Sequence, residues 1–214
     1  AGLVGGAALL AARGSGPASI PAALGVVAAI LGGVGAAGVG AGLAIAEALS
    51  RSRRGVALTV CGALGGGAIG AAAHLLGRWT LEDIFGHDLS AVGGGLEGTV
   101  IGASAGLGYA LGTPRPAGGG LASPRGADRV RAAAVTGMVC AAGCVLLAMA
   151  GRRLGGASLD LMARSFEGSD VGLAPLARLM GETEVGAITR VVLSAWEGLL
   201  FGAGLAWGMT RRPR

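Results

Sequence analysis

Residues 132–151, with the sequence AAAVTGMVCAAGCVLLAMAG, contain no Asp, Glu, Lys or Arg. A helix of this length spans about 30 Å, which is the thickness of the hydrocarbon core of a bilayer. Two longer stretches, 15–46 and 55–77, also lack these four residue types. A surface helix of a water-soluble protein carries charged residues along its outer face. The three stretches therefore predict membrane-spanning helices and an all-α fold.

The composition of the whole chain agrees with this prediction. Among 214 residues, 52% are apolar and 14% are charged, whereas about 25% of residues are charged in a typical globular domain. The 45 glycines could suggest a disordered chain, but disordered chains combine low hydrophobicity with high net charge, and the net charge here is only +5. The Ala/Gly-rich pattern resembles that of glycine-zipper membrane proteins in general.

All 17 basic residues are arginine, and they gather at the ends of the apolar stretches. Nucleic-acid binding requires a basic stripe on a soluble face, so we expect no nucleic-acid partner. The connections at 50–54 and 113–129 and the C-terminus hold most of the arginines against one acid, Asp128. The positive-inside rule therefore predicts a multi-pass protein of the inner or plasma membrane with a cytoplasmic C-terminus. Exclusive use of arginine in an Ala/Gly-rich chain is typical of a GC-rich bacterial genome.

Apolar runs, prolines and polar breaks predict an integral membrane bundle of five complete transmembrane helices, or six if residues 1–12 belong to a span. Short amphipathic segments predict interfacial helices. A Gly/Pro-rich stretch, 113–128, predicts a cytoplasmic linker between a first part, 1–112, and a second part, 129–214. The predicted spans are 20–49, 55–77, 89–112, 130–150 and 184–209, and the predicted interfacial helices are 80–86, 158–166 and 174–181.

Two segments 100 positions apart predict a parallel internal repeat. Residues 96–103 (LEGTVIGA) align without a gap with residues 196–203 (WEGLLFGA). Each follows a span and an amphipathic segment, and each unit begins and ends on the same side of the membrane. Small-xxx-small spacing predicts close helix packing, either within the bundle or between proteins. The glycines concerned are Gly98, Gly102, Gly106, Gly198 and Gly202.

Glu97 and Glu197 are the intramembrane acids of this repeat. A carboxylate within a bilayer costs about 2.5–3.5 kcal/mol on insertion scales, so it must face protein or water. One interpretation is a proton or cation relay. The other is a bond between helices, made to a backbone group or to an arginine such as Arg190. We expect Trp196, beside Glu197, to lie in the core.

The remaining polar candidates predict no catalytic chemistry. His74 and His87 lie near the end of a span and in the following loop, where they could bind a ligand or make interfacial hydrogen bonds. Cys61, Cys140 and Cys144 are interpreted as small packing residues. With only two histidines, the sequence offers no Ser/His/Asp or Cys/His combination for nucleophilic catalysis. We therefore expect no enzyme activity, cofactor or metal.

Two functional classes follow from the sequence. The first is a non-enzymatic membrane domain that acts in anchoring or assembly, of a larger membrane complex or of a longer chain. Its partners are the bilayer and other transmembrane helices. The alternative is a small proton or cation channel or transporter that uses Glu97 and Glu197.

Overall fold

A computed structural model describes residues 19–49, 53–85, 94–114, 124–152, 154, 174–183 and 186–211, with side chains described for 29–49, 53–76 and from 177 onward in the last two helices. Within these ranges the regular structure is helical and there is no strand, so the all-α prediction is confirmed. The helices are α1 (Ser19–Leu49), α2 (Arg54–Phe85), α3 (Gly95–Gly112), α4 (Ala127–Met149), α5 (Ala174–Leu179) and α6 (Ala187–Met209).

Among the described residues, four helices are long and apolar enough to cross a membrane, as the sequence predicts for a membrane protein. α3, which lies within the predicted span 89–112, is not among these four, and the number of five or six spans stays a prediction. α3 has 18 residues, a length of about 27 Å, and Glu97, Thr99 and Ser104 lower its apolar content. The four spans are Ala29–Leu49, Arg54–Leu76, Ala127–Met149 and Ala187–Met209.

The helix boundaries correct three predictions. α2 runs without a break to Phe85, so the separate interfacial helix at 80–86 is wrong; one glycine, Gly77, is not enough to end a helix that lacks proline. α3 begins at Gly95 rather than at 89, because Gly94 is its non-helical cap. α4 begins inside the predicted linker, at Ala127. The predicted helix at 158–166 and residues 1–12 lie outside the described residues.

Consecutive long helices pack antiparallel in chain order. Gly42 of α1 contacts Cys61 of α2, Gly112 of α3 contacts Ala132 of α4, and Gly202 of α6 contacts Thr136 of α4. The C-termini of α1, α3 and α6 therefore meet the N-termini of α2 and α4 at one end of the bundle. We call this the arginine end, and its described arginines are Arg53, Arg54, Arg125, Arg129, Arg131 and Arg211. The other end is called the opposite end.

Glycines form the contact between α2 and α3. A Cβ atom added at Gly98 would collide with the carbonyl oxygen of Gly66, and one added at Gly102 would collide with that of Gly62. A Cβ at Gly70 would lie 2.7 Å from the carbonyl oxygen of Gly94. The two backbones thus touch over about two helical turns. Such closeness supplies van der Waals contact, which drives association where lipid surrounds the helices.

The largest buried cluster lies toward the arginine end and draws on all five long helices. It includes Leu43 of α1, Leu58 of α2, Tyr109 of α3, Cys140 of α4 and Ala206 of α6. Large apolar side chains elsewhere point outward, as lipid contact requires. They include Trp196, which is 53% exposed, so the prediction that it lies in the core is wrong. Cys140 and Cys144 are buried free thiols, in keeping with a packing role.

Candidate functional site

A buried ionic group ties three helices together at the arginine end. The guanidinium of Arg54 donates from Nε to both carboxylate oxygens of Glu47, at 3.0 and 3.1 Å, and from Nη2 to Thr113 Oγ1 at 2.7 Å. Its Nη1 donates to the Thr113 carbonyl oxygen at 3.3 Å. All three residues are buried. We call this group the arginine-end clamp.

Local sequence explains how the clamp assembles. Glu47 lies in the last turn of α1 and Arg54 is the first residue of α2, so a short antiparallel connection brings them together. Thr113 is the C-cap of α3, where its backbone N–H and hydroxyl both donate to the Tyr109 carbonyl. Because each member lies at a helix end, the clamp also gives a hydrogen-bond donor to the Thr113 carbonyl oxygen, one of the carbonyls that a helix leaves without a partner at its C-terminus.

Tyr109 lies beneath this clamp. Its side chain is fully buried, and the Arg54 guanidinium lies 5.8 Å from the centre of its ring. The Tyr109 hydroxyl is buried and has no hydrogen-bond partner among the described residues. Burial of an unpaired hydroxyl costs free energy, so the ring, rather than the hydroxyl, stabilises this part of the core.

A second ion pair joins α3 to α4 at the opposite end. Glu97, at the third position of α3, accepts the Gly94 backbone N–H at 2.6 Å and also pairs with Arg152. Gly151 (φ +77°) ends α4 in a left-handed turn, in which the Arg152 N–H donates to the Leu147 carbonyl. This turn is the usual glycine-based helix stop, and it directs Arg152 toward Glu97. We call Glu97 and Arg152 the opposite-end clamp.

The two acids predicted to act together lie on different helices and have different surroundings. Glu97 is at a helix end and pairs with Arg152. Glu197 is half-buried in the middle of α6, next to Gly198, whose Cα faces the Cys140 carbonyl and the Cys144 thiol. Cys144 itself clusters with Val100 and Ile101 of α3, three and four positions after Glu97. The predicted partner Arg190 instead bonds the Gly186 carbonyl of its own helix, at 3.3 Å.

The histidines occupy separate positions. His74 is half-buried on α2, where its ring lies against the Gly94 backbone, and His87 lies outside the described residues. Within the described part of the chain, no three His, Cys, Asp or Glu side chains come together as metal ligands.

Glu182 caps the first turn of α6. Its carboxylate accepts the backbone N–H groups of Gly186, Ile188 and Thr189, at 2.9–3.1 Å, and the Thr189 hydroxyl at 2.6 Å. These hydrogen bonds, the one from the Thr189 hydroxyl above all, lower the pKa of Glu182 below its ordinary value. Gly181 (φ +77°) ends α5 and sets the direction of Glu182, as Gly151 does for Arg152.

A further arginine is held between α4 and α6 at the arginine end. Arg129 donates from Nη2 to the Trp207 carbonyl at 2.8 Å and from Nε to Thr210 Oγ1 at 3.2 Å. Its guanidinium carbon lies 3.9 Å from the centre of the Trp207 ring.

Sequence reasoning identified Glu97 but did not predict the contacts of most of these polar residues, and it interpreted the arginines only as charges that flank the spans. For Glu47 a signal existed: it is an acid at the end of an uncharged stretch, seven positions before Arg54. The missed residues are Glu47, Arg54, Thr113, Arg129, Arg152 and Glu182.

Comparisons with known proteins return no relative. No protein-family model, curated protein or solved structure matches the chain. Its function is therefore inferred from the residues and contacts described above.

Proposed function

We propose that the chain is a non-enzymatic, multi-pass membrane domain that acts in anchoring and assembly, of a larger membrane complex or of a longer chain. The observation that carries this proposal is that each of two buried acids is paired with an arginine of another helix end. Arg54 with Glu47, and Glu97 with Arg152, join helix ends to one another. Charges used in this way hold a bundle in one arrangement, which is what an anchoring domain needs.

The opposite-end clamp is poorly suited to a relay. A relay carboxylate has to exchange protons or cations with mobile partners along a wet path. Glu97 already accepts from a backbone N–H and from a guanidinium, and its side chain is 6% exposed. A residue so engaged holds α3 against α4.

The packing of glycines supports the proposed parallel repeat. Gly98 and Gly102 lie against the carbonyls of residues 66 and 62 of α2, and Gly198 and Gly202 lie against those of residues 140 and 136 of α4. Both pairs keep the same four-residue spacing on both helices. In this proposal, α2 with α3 and α4 with α6 are two copies of one packed pair.

The first segment of α1 whose side chains are described, residues 29–35, supports an assembly role. A Cβ added at Gly32, Gly33 or Gly35 would meet nothing within 4 Å, and Leu31 and Val34 are exposed. Apolar character alone does not draw helices together in lipid, but close packing of small residues does. In this proposal, a transmembrane helix of the larger assembly packs on this segment.

Site-specific photo-crosslinking in native membranes tests assembly. A photoreactive side chain at Val34 should give a discrete larger product, whereas the same side chain at Leu64, which is 67% exposed on α2, should react with lipid. Recovery of the lone chain from both positions would count against assembly.

One observation favours the second candidate function, a small proton or cation channel or transporter: Glu197 is half-buried in the middle of a span. Reconstituted vesicles test it by pH-driven proton or cation flux. The anchoring proposal expects no flux from the parent protein. Flux that disappears in the Glu97→Gln, Glu197→Gln double variant would replace anchoring with transport.

A further inference from the structure

The arginine end carries an excess of exposed positive charge. Arg54 is neutralised by Glu47 within the clamp. Four other described arginines at this end are exposed and Arg129 is partly buried, against one exposed acid, Asp128. At the opposite end, by contrast, Arg152 is paired with Glu97. The positive charge is therefore concentrated where α4 begins and α6 ends. The exposed arginines are Arg53, Arg125, Arg131 and Arg211.

Besides Arg54 in the arginine-end clamp, Arg129 is a described arginine at this end that the bundle orients. Its Nε and Nη2 donate to the Thr210 hydroxyl and to the Trp207 carbonyl, and its guanidinium carbon lies 3.9 Å from the centre of the Trp207 ring. A guanidinium has five N–H donors in a planar fork. With one edge bonded to α6, the edge formed by Nη1 and the second Nη2 hydrogen has no partner in the described part of the chain. This edge has the geometry that binds two oxygens of one phosphate.

The surroundings of Arg129 indicate which phosphate it would bind. The next residue, Val130, is 57% exposed, and Trp207 is 46% exposed. Exposed tryptophan at the end of a span is typical of the membrane interface, where headgroups begin. A phosphate placed on Arg129 thus has apolar side chains beside it for acyl chains, and basic pockets between transmembrane helices are known to bind anionic headgroups. An anionic lipid supplies both a phosphate for the guanidinium and acyl chains for the apolar side chains, whereas free phosphate supplies only the charge.

We infer that Arg129 forms a binding site between α4 and α6 for the phosphate of an anionic phospholipid. Arg125 lies four positions before it in the sequence, and Arg211 follows its hydrogen-bond partner Thr210. The inference requires only that these helices lie in a bilayer. It holds whether the domain anchors a complex or conducts ions.

Native mass spectrometry tests the site on the full chain. The protein is released from bilayer discs that contain equal amounts of phosphatidylglycerol and phosphatidylcholine, and the lipids that remain bound are counted. We expect the parent to retain phosphatidylglycerol preferentially. Arg129→Gln should lower this preference about fivefold or more, the effect of losing one interfacial arginine. Arg178→Gln removes an exposed arginine of α5 and is the matched control, which should leave the preference unchanged.

Two further variants separate a site from general charge attraction. Arg129→Lys keeps the charge but loses the planar fork of donors. We expect it to lower the preference for phosphatidylglycerol almost as much as Arg129→Gln does. Arg211→Gln removes an exposed side chain without disturbing the contact between Arg129 and Trp207, so it reports on the site even if variants of Arg129 fail to fold. It should lower the preference measurably.

Three outcomes would overturn the inference. The first is equal retention of the two lipids by the parent. The second is an equal loss of preference in Arg178→Gln and Arg129→Gln, which would reduce the effect to overall charge. The third is displacement of phosphatidylglycerol by millimolar inorganic phosphate, which would assign Arg129 to free phosphate.

Discussion

Individual glycines are the residues on which helix contact depends most directly. Gly102 of α3 leaves no room for a Cβ beside the Gly62 carbonyl, whereas Gly204 of α6 has open space in the same direction. Both are helical glycines in apolar surroundings. They therefore form a matched pair for separating the effect of contact from the effect of helix propensity.

We predict that Gly102→Ala destabilises the bundle by about 1–3 kcal/mol, the usual cost of overpacking. Gly204→Ala should be neutral or slightly stabilising, because alanine favours a helix more than glycine does. Unfolding in mixed micelles measures both. Equal effects of the two substitutions would contradict the role of close contact between α2 and α3.

The arginine-end clamp predicts strong coupling between its two charges. Arg54→Gln leaves the buried Glu47 carboxylate without its guanidinium, and breaking one side of a buried pair costs about 3–5 kcal/mol. Replacing both residues by glutamine should cost less than the sum of the single substitutions. A double-mutant cycle measures this coupling. Additive effects would show that the pair contributes little to the stability of the bundle.

Tyr109 provides a prediction of the opposite sign. Its hydroxyl is buried and has no partner among the described residues, and an unbonded buried hydroxyl costs about 1–3 kcal/mol. Tyr109→Phe should therefore leave stability unchanged or raise it, while Tyr109→Leu should lower it because the ring fills the core. A lower melting temperature for Tyr109→Phe would contradict the unbonded state of the hydroxyl.

At the scale of helices, left-handed glycines determine where charged side chains go. Gly151 and Gly181 both have φ of +77°, and the next residues are Arg152 and Glu182. Each glycine ends one helix, and the residue after it bonds to the end of another. In both cases, the glycine that ends a helix is thus followed directly by the residue that contacts another helix.

The cap formed by Glu182 predicts a pH dependence at the start of α6. Hydrogen bonds from Thr189 and the first turn hold the pKa of Glu182 below its ordinary value of 4.5. The stabilisation is fully present above that ordinary value and is lost as the pH falls through the lowered pKa. The protection of the first-turn amides of α6, measured as their exchange rate relative to that of an unstructured peptide at the same pH, should be constant above pH 4.5 and should decrease as the pH falls further. Glu182→Gln should abolish this pH dependence of protection, and the same pH dependence in the variant would contradict the cap.

At the scale of the whole molecule, the antiparallel order places most of the described arginines at one end. Arg54 reaches the end of α3 and Arg129 reaches the end of α6, so the helix ends that flank the three connections grouped in the sequence analysis lie at one end of the bundle. The positive-inside rule predicts that this side is cytoplasmic. Green fluorescent protein fused after Arg214 should fluoresce in cells, and alkaline phosphatase at the same place should be inactive. The reverse pattern would invert the proposed topology.

The sequence by itself predicted a membrane protein and the all-α class of fold. Residues 132–151 lack the four charged residue types, and no such helix is stable with its whole surface in water, so an all-α membrane protein follows from composition. The sequence also indicated Glu97 as special, because a single acid in an apolar run must find a partner.

Only the tertiary structure decided which polar groups meet. Arg54 and Thr113 are 59 positions apart, and Arg152 and Glu97 are 55 positions apart. Their meeting depends on the register in which antiparallel helices pack, and that register is set by where glycines allow backbones to touch. Hydropathy carries no such information because it depends on residue type alone. Contacts between distant residues depend on backbone geometry, which is why composition was enough to predict a membrane protein, whereas only the fold decided which residues form the two clamps.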